Sequence, residues 1–211
     1  MFWLLCRAWL RPLQATAIPL LLLGVLIGPS TGNATPAPES VAHVYLLRGV
    51  LNIFSLGLDQ IAAKLRQRGI TATVHNYLFW ASLADEAAAE YKTGRVRTII
   101  LVGHSSGATA LPDMVARLDR LGVPVSLAIG LDSVFQTRLA AHVGRYINFY
   151  VADGAGTPVE KANQFSGALE NVDVQELPGI GHLTIDKNQI IQQRVISAID
   201  TAVRIRPKKR L

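Results

Sequence analysis

A single cysteine, Cys6, supplies all the thiol chemistry of this 211-residue chain, which leaves no intramolecular disulfide to form. Charge is sparse as well. Asp, Glu, Lys and Arg make up 17% of residues against 50% apolar, a balance that excludes a disordered chain and suits a packed globule. There is no internal repeat, and no low-complexity block beyond a short Pro/Ala/Thr patch near the start. Nor is there an apolar run of the ~20 residues that a membrane-crossing helix needs. The stretch Ala15–Ile27 falls short of it, at about 13 residues. Arg7 and Arg11 precede it and Gly32-Asn33-Ala34 follow, so residues 1–34 read as a cleaved export signal, with an uncleaved membrane anchor as the alternative. The expected location is periplasmic or secreted, and a processed chain without thiols must be held together by its core.

The net charge of +6 suggests a nucleic-acid partner until the charges are placed. Two belong to residues 1–34, and five to Arg204, Arg206, Lys208, Lys209 and Arg210 at the other end, which leaves the body at −1. A near-neutral body argues against nucleic acid. The basic tail, 206–211, reads as a solvated, frayed end, and membrane association is expected only through the amino terminus. No metal-ligating cluster is evident, and no cofactor is expected.

The length suits one domain with a sizeable core, assigned to residues 41–205. Within it, extended and helical patterns alternate. "HVYLLRG", "ITATVHNY", "VRTIILVG", "PVSLAIGLD", "RYINFYVADG" and a short "DVQELPG" read as strands. Amphipathic or Ala-rich stretches separate the first four, several closed by a glycine, and "TIDKNQIIQQRVISAIDTAVRI" closes the chain as a helix. Its broad apolar face would hold Ile190, Ile191, Val195, Ile196, Ile199 and Val203. Near-continuous apolar strands between such helices predict an α/β fold: three layers around a doubly wound, mostly parallel sheet. Ligands of such sheets bind at the carboxyl ends of the strands, where Gly49, Gly103, Asp132 and Asp153 fall.

One of those ends carries "GHSSG" between a strand and a helix. A sharp strand-to-helix turn needs backbone room, which Gly103 and Gly107 provide, and it lifts the apex residue, Ser105, over the end of the sheet. There the free amides of the helix start favour developing negative charge. A structural or phosphate-binding glycine turn is the competing reading, but the Lys-Ser/Thr pair of a P-loop and the third glycine of a dinucleotide fingerprint are both missing.

A serine nucleophile needs a base, and the base an orienting acid. His43 and His75 lie in strand patterns, His104 points away from the apex that it adjoins, and His142 sits in a connection. His182 lies in the Gly-rich "LPGIGHLTID", a loop able to deliver an imidazole over the sheet end. For the acid, Asp132 at the end of "AIGLD" is favoured and Asp153 in "VADGAGTP" is the alternative; both keep the chain order Ser, Asp, His. Asp113 and Asp173 are poorer candidates. Two oxyanion donors are expected: the amide of Ser106 and that of Val50, with Leu51 as fallback, in "LLRGVLNIFS". Arg48 in the same loop would meet either an anionic substrate or a surface acid. Phe54, Tyr77, Phe79 and Trp80 would line an apolar substrate groove or pack into the core.

These residues together resemble the α/β-hydrolase superfamily over Val41–Ile205, in particular its small esterases, cutinases and thioesterases. The resemblance implies a Ser105, His182 and Asp132 (or Asp153) triad with the Val50 and Ser106 amides as oxyanion hole. It implies cleavage of a small or lipid-like ester or thioester through an acyl-enzyme intermediate, without a metal. Two departures stand out. The first strand in the pattern already carries the oxyanion loop, so the amino-terminal hairpin of larger members is not found, and Asp132 to Arg145 leaves no room for a helical lid. Two other readings remain: a catalytically silent binding protein on the same scaffold, and a membrane-anchored envelope protein with the same core.

Overall fold

The computed structural model describes residues 42–50 and 52–204. The expectations for the export segment with Cys6, for Leu51 and for the tail beyond Arg204 fall outside these residues.

Twelve main elements follow one another along the described chain: β1 (Ala42–Arg48), α1 (Gly57–Gln67), β2 (Thr71–Asn76), α2 (Trp80–Lys92), β3 (Thr98–His104), α3 (Ser106–Arg120), β4 (Val125–Leu131), β5 (Arg138–Leu139), β6 (His142–Tyr150), β7 (Glu160–Lys161), β8 (Ser166–Asp173) and α4 (Gln189–Arg204). Six strands form one parallel sheet in the order β2-β1-β3-β4-β6-β8, and β5 pairs with β7 outside it.

Strand alternation sorts the core into two layers. Val44, Leu46, Ile100, Val102 and Ile129 face α1 and α4, where they meet Leu58, Ile61, Leu65, Ile191, Val195 and Ile199. Tyr45, Leu47, Ile99, Leu101 and Ala128 face the opposite way, against Leu83 and Ala87 of α2 and Leu111, Met114 and Leu118 of α3. Each fully buried aliphatic side chain contributes about 1.5–3 kcal/mol relative to exposure. The structure is thus the expected three-layer α/β arrangement, and the parallel register puts every strand's carboxyl end at one edge of the molecule. Within the sequence Asp132–Ala141, which links β4 to β6, there is no helix.

Two assignments need correction. The final strand is Ser166–Asp173, starting seven residues before "DVQELPG", whose first residue, Asp173, ends the strand and whose remainder forms turns after it. β8 is an edge strand whose side chains are mostly exposed, so "SGALENVD" carries no apolar run to announce it. Asp173 ends this strand and accepts hydrogen bonds from the Gln175 and Ala152 amides (3.0 and 3.4 Å). Ile190, placed on the apolar face of the closing helix, is instead exposed at its first turn.

Two tyrosines in the α2/α3 layer are fully buried. The Tyr45 hydroxyl donates to Glu90 Oε2, which also meets His43 Nδ1 at 2.9 Å. Burial, and the Glu90 carboxylate beside it, push the Tyr45 phenol well above its usual range; burial alone does so for Tyr146. Above pH ~10 the unfolded chain therefore loses protons that the fold retains, and stability falls as pH rises further. Tyr146→Phe removes one such group. Urea unfolding between pH 8 and 11 should show a shallower loss of stability in this variant than in the wild type.

Candidate active site

The turn from β3 into α3 works only because two glycines let three chain segments touch. A Cβ on Gly103 would overlap the Gly107 carbonyl, and a Cβ on Gly107 would overlap the Leu47 carbonyl of β1. Between them Ser105 adopts φ 59°, ψ −123°, a conformation that costs a non-glycine residue about 1–3 kcal/mol and persists only where its surroundings impose it. Its amide donates to Leu131 O (3.0 Å) and its carbonyl accepts from Thr109 N (3.0 Å), so the residue is pinned on both sides.

His182 comes from the loop between β8 and α4 and reaches Ser105 Oγ through Nε2 at 3.0 Å. Its Nδ1 lies 2.7 Å from Oδ2 of Asp132, a fully buried carboxylate at the end of β4. Asp132 Oδ1 accepts from the Val151 amide at 2.8 Å, so both carboxylate oxygens have partners. A Cβ on Gly156 would overlap Oδ1, which makes that glycine part of the carboxylate's seat. Because Asp132 takes up the ring's Nδ1–H, Nε2 is left as an acceptor facing the serine hydroxyl. Asp153 sits in an exposed turn and is not brought to the imidazole. The structure thus brings Ser105, His182 and Asp132 together.

Beneath this chain lies a second one that the sequence did not announce. His104 is fully buried; its Nε2 lies 2.8 Å from the His182 carbonyl, and its Nδ1 2.8 Å from Ser55 Oγ, which accepts the Gly49 amide at 2.9 Å. A carbonyl only accepts, so Nε2 must carry the proton, and the Ser55 hydroxyl donates to Nδ1. Burial lowers the pKa of His104 and keeps the ring neutral, as this pattern requires. Nearby, the buried Asp186 caps the start of α1 by accepting the Gly57 amide at 2.8 Å, and burial pushes its carboxyl above the usual range. Gln192 Nε2 donates to the Asp186 carbonyl at 2.9 Å. The loop after β1 and the loop bearing His182 are therefore clasped at two places. His104 does point away from the serine, as its position implied; its partner is the base's own backbone, which no local pattern could indicate. Ser55 and Asp186 carried no sequence signal.

Around the serine, the Val50 and Ser106 amides make no hydrogen bond among the described residues, while the Gly49 amide is occupied by Ser55. Arg48 pairs with Asp59 of α1 and so meets a surface acid. Tyr77 and Trp80, three residues apart across a 3-10 turn, pack partly buried against the α2/α3 layer, whereas Leu78 and Phe79 between them face solvent, as does Phe54. Tyr77 and Trp80 thus take the packing place that the sequence reading allowed them. An open groove of ≈ 630 Å³ between α4 and strands β6 and β8 contains none of these residues and belongs to the far part of the sheet. Among the described residues no group of His, Cys, Asp and Glu is arranged to hold a metal ion.

The buried relay should contribute to stability. Ser55→Ala leaves the Gly49 amide and His104 Nδ1 without partners and should cost about 1–3 kcal/mol in urea unfolding. The folded state keeps His104 neutral, so as pH falls below ~6.5 the unfolded chain binds a proton that the fold refuses and stability drops. The raised Asp186 carboxyl acts in the opposite sense, its share being lost as pH rises through its folded value. His104→Gln should therefore flatten the acid-side loss of stability between pH 7 and 5.

No family model matches the chain, and neither does the sequence of any curated protein. Solved structures do. The type II thioesterase BorB from the borrelidin biosynthetic cluster superposes with a TM-score of 0.54 at 13% identity, over 81% of this chain and 94% of that one. Est1E from Butyrivibrio proteoclasticus superposes with a TM-score of 0.51 at 11% identity, over 81% and 91%. At these identities the likeness concerns architecture alone. With its parallel sheet, its flanking helices and the glycine-framed turn after β3, the described chain has the α/β-hydrolase fold.

Proposed function

We propose that the chain is a serine hydrolase of carboxylic esters or thioesters that works through an acyl-enzyme. One observation carries this reading: the unbroken run from Asp132 Oδ2 through His182 (2.7 Å) to Ser105 Oγ (3.0 Å). In the proposed reaction Ser105 Oγ attacks the substrate carbonyl while His182 Nε2 takes its proton. The tetrahedral oxyanion is held by the Val50 and Ser106 amides, the second at the positive end of α3. Collapse expels the alcohol or thiol, which receives the proton from His182. Water, deprotonated by the same imidazole, then attacks the acyl-serine; the second intermediate collapses, the acid is released, and His182 returns the proton to Ser105 Oγ. Asp132 holds the imidazole in the tautomer that accepts at Nε2 and offsets the charge that it gains; the buried carboxylate does this best where water cannot screen it. The fold shared with a thioesterase and an esterase is compatible with either leaving group.

The same reading takes a small or lipid-like ester as substrate and an exported protein as the carrier of the site, with residues 1–34 as the leader. The mass of the mature amino terminus tests that part.

A fluorophosphonate probe should label the wild type and leave Ser105→Ala unlabelled; no labelling of the folded wild type would overturn the assignment. His182→Ala should lower kcat/KM for a chromogenic ester by several powers of ten, on the order of 10⁴-fold or more. Asp132→Asn should lower it by about 10³–10⁴-fold, and Asp153→Asn should leave it within about two-fold.

A further inference from the structure

Eight of the nine large apolar side chains that stand exposed among the described residues lie on loops that follow the carboxyl ends of the parallel strands, the end of the sheet that carries Ser105. Ile53 (60% exposed) follows β1; Leu78 (67%) and Phe79 (60%) follow β2; Phe135 (68%) follows β4; Leu183 (51%) adjoins His182. The ninth, Ile190, lies in the first turn of α4. The segments 49–56, 77–83, 133–137 and 177–184 contain no Asp, Glu, Lys or Arg; the charges of these loops stand at the segments' borders, with Arg48 before the first and the exposed Glu176 and Lys187 on either side of the last. One ion pair, Arg48–Asp59, borders the zone, and the others near it lie on the flanks, between α1 and α4 (Arg68–Asp200), α2 and α3 (Arg117–Asp85), and β6 and β8 (Arg145–Glu170). An apolar, uncharged zone of this kind on an otherwise polar surface marks a place where something binds.

We infer that this rim docks the protein on the surface of an aggregated lipid, a vesicle or micelle whose ester Ser105 then reaches; the inference rests on the hydrolase reading above and names its substrate class. The rim is wider than the cross-section of one acyl chain. β2 and β4 are three strand spacings apart, about 14 Å, and rim residues follow both. It is also tied to the serine. The Thr109 hydroxyl in the first turn of α3 lies 2.8 Å from Ser133 Oγ, and that hydroxyl donates to the Phe135 carbonyl at 2.9 Å, so the Phe135 loop is fixed to the helix that begins beside Ser105. Whatever covers the rim must leave the serine an ester to attack. A second copy of this chain seated there would close the approach, whereas a lipid surface supplies the substrate. At the rim's edge the exposed Lys187 ammonium bonds to the Leu183 carbonyl at 3.0 Å, a cation placed for phosphate headgroups next to an apolar side chain placed for acyl chains.

The test uses the full chain carrying Ser105→Ala, so that docking is read without turnover, and vesicles of phosphatidylcholine with one part in about five of phosphatidylglycerol. Adding Ile53→Ser, Phe79→Ser and Phe135→Ser should raise the lipid concentration for half-maximal co-sedimentation by about ten-fold or more, given the apolar area withdrawn from the contact. An environment-sensitive fluorophore on Phe135→Cys, in a Cys6→Ser background, should shift to the blue on vesicles and be quenched by bromine-labelled acyl chains. This second reading does not depend on the amino-terminal segment or on the triple variant folding. Unchanged emission at position 135 overturns the proposal, as does conversion of a dimer to a monomer by the rim substitutions with vesicle binding intact. Fluorophosphonate labelling of the wild type is scored separately. Lost labelling with insertion preserved would remove the hydrolase and keep the docking face; preserved labelling without insertion would remove the docking face alone.

Discussion

The contact on which the site depends is between two main chains: the first turn of α3 lies against the carbonyl end of β1 so closely that Gly107 leaves no space for a side chain. That approach forces the turn after β3 to be sharp, holds Ser105 in a backbone conformation that few residues accept, and leaves its hydroxyl clear of the sheet. The strain is local. What sustains it is the two-layer core, which fixes β1, β3 and α3 relative to one another before the turn has any choice of shape. A flatter turn would lower the serine into the sheet end and put the imidazole out of reach.

Around this point the molecule separates two electrical tasks. Asp132, His182 and Ser105 form a run in which a carboxylate keeps one imidazole proton in place. The layer below does the reverse: His104 is held neutral, with each of its nitrogens committed, and connects the loop after β1 to the backbone of His182. The donors proposed for the oxyanion and the proposed base are thus held by one buried side chain. A displacement of either loop is resisted by the other, which suits a site whose distances must hold within a few tenths of an ångström.

Much of this was legible in the sequence because the chemistry is written in local patterns. Apolar strands alternating with glycine-stopped helices indicated the sheet, and the two glycines around Ser105 indicated the turn. Asp132 was legible as well, since a carboxylate at the end of an apolar strand is costly without a partner. Other features depend on long-range contacts that leave no local trace. Ser55 and Asp186 look like ordinary loop residues until the fold lays them beside Gly49 and Gly57. β8 escaped because an edge strand with solvent on much of its surface needs no apolar alternation. The aromatic run near the serine was open to two readings for a related reason: a 3-10 turn puts Tyr77 and Trp80 on one inner face and turns Leu78 and Phe79 outward, an outcome fixed by a single turn's geometry.

Asp132 has a backbone that no other element of the site explains: φ is 54°, in the left-handed region. Asparagine and aspartate enter that region more readily than longer or branched residues, since their short polar side chains bond locally. The choice of acid at this position is therefore made twice, once by charge and once by handedness. Glutamate would bring the charge while resisting the twist and overreaching a seat closed by Gly156. Conformation, as much as acidity, is what reserves the place for the shorter carboxylate.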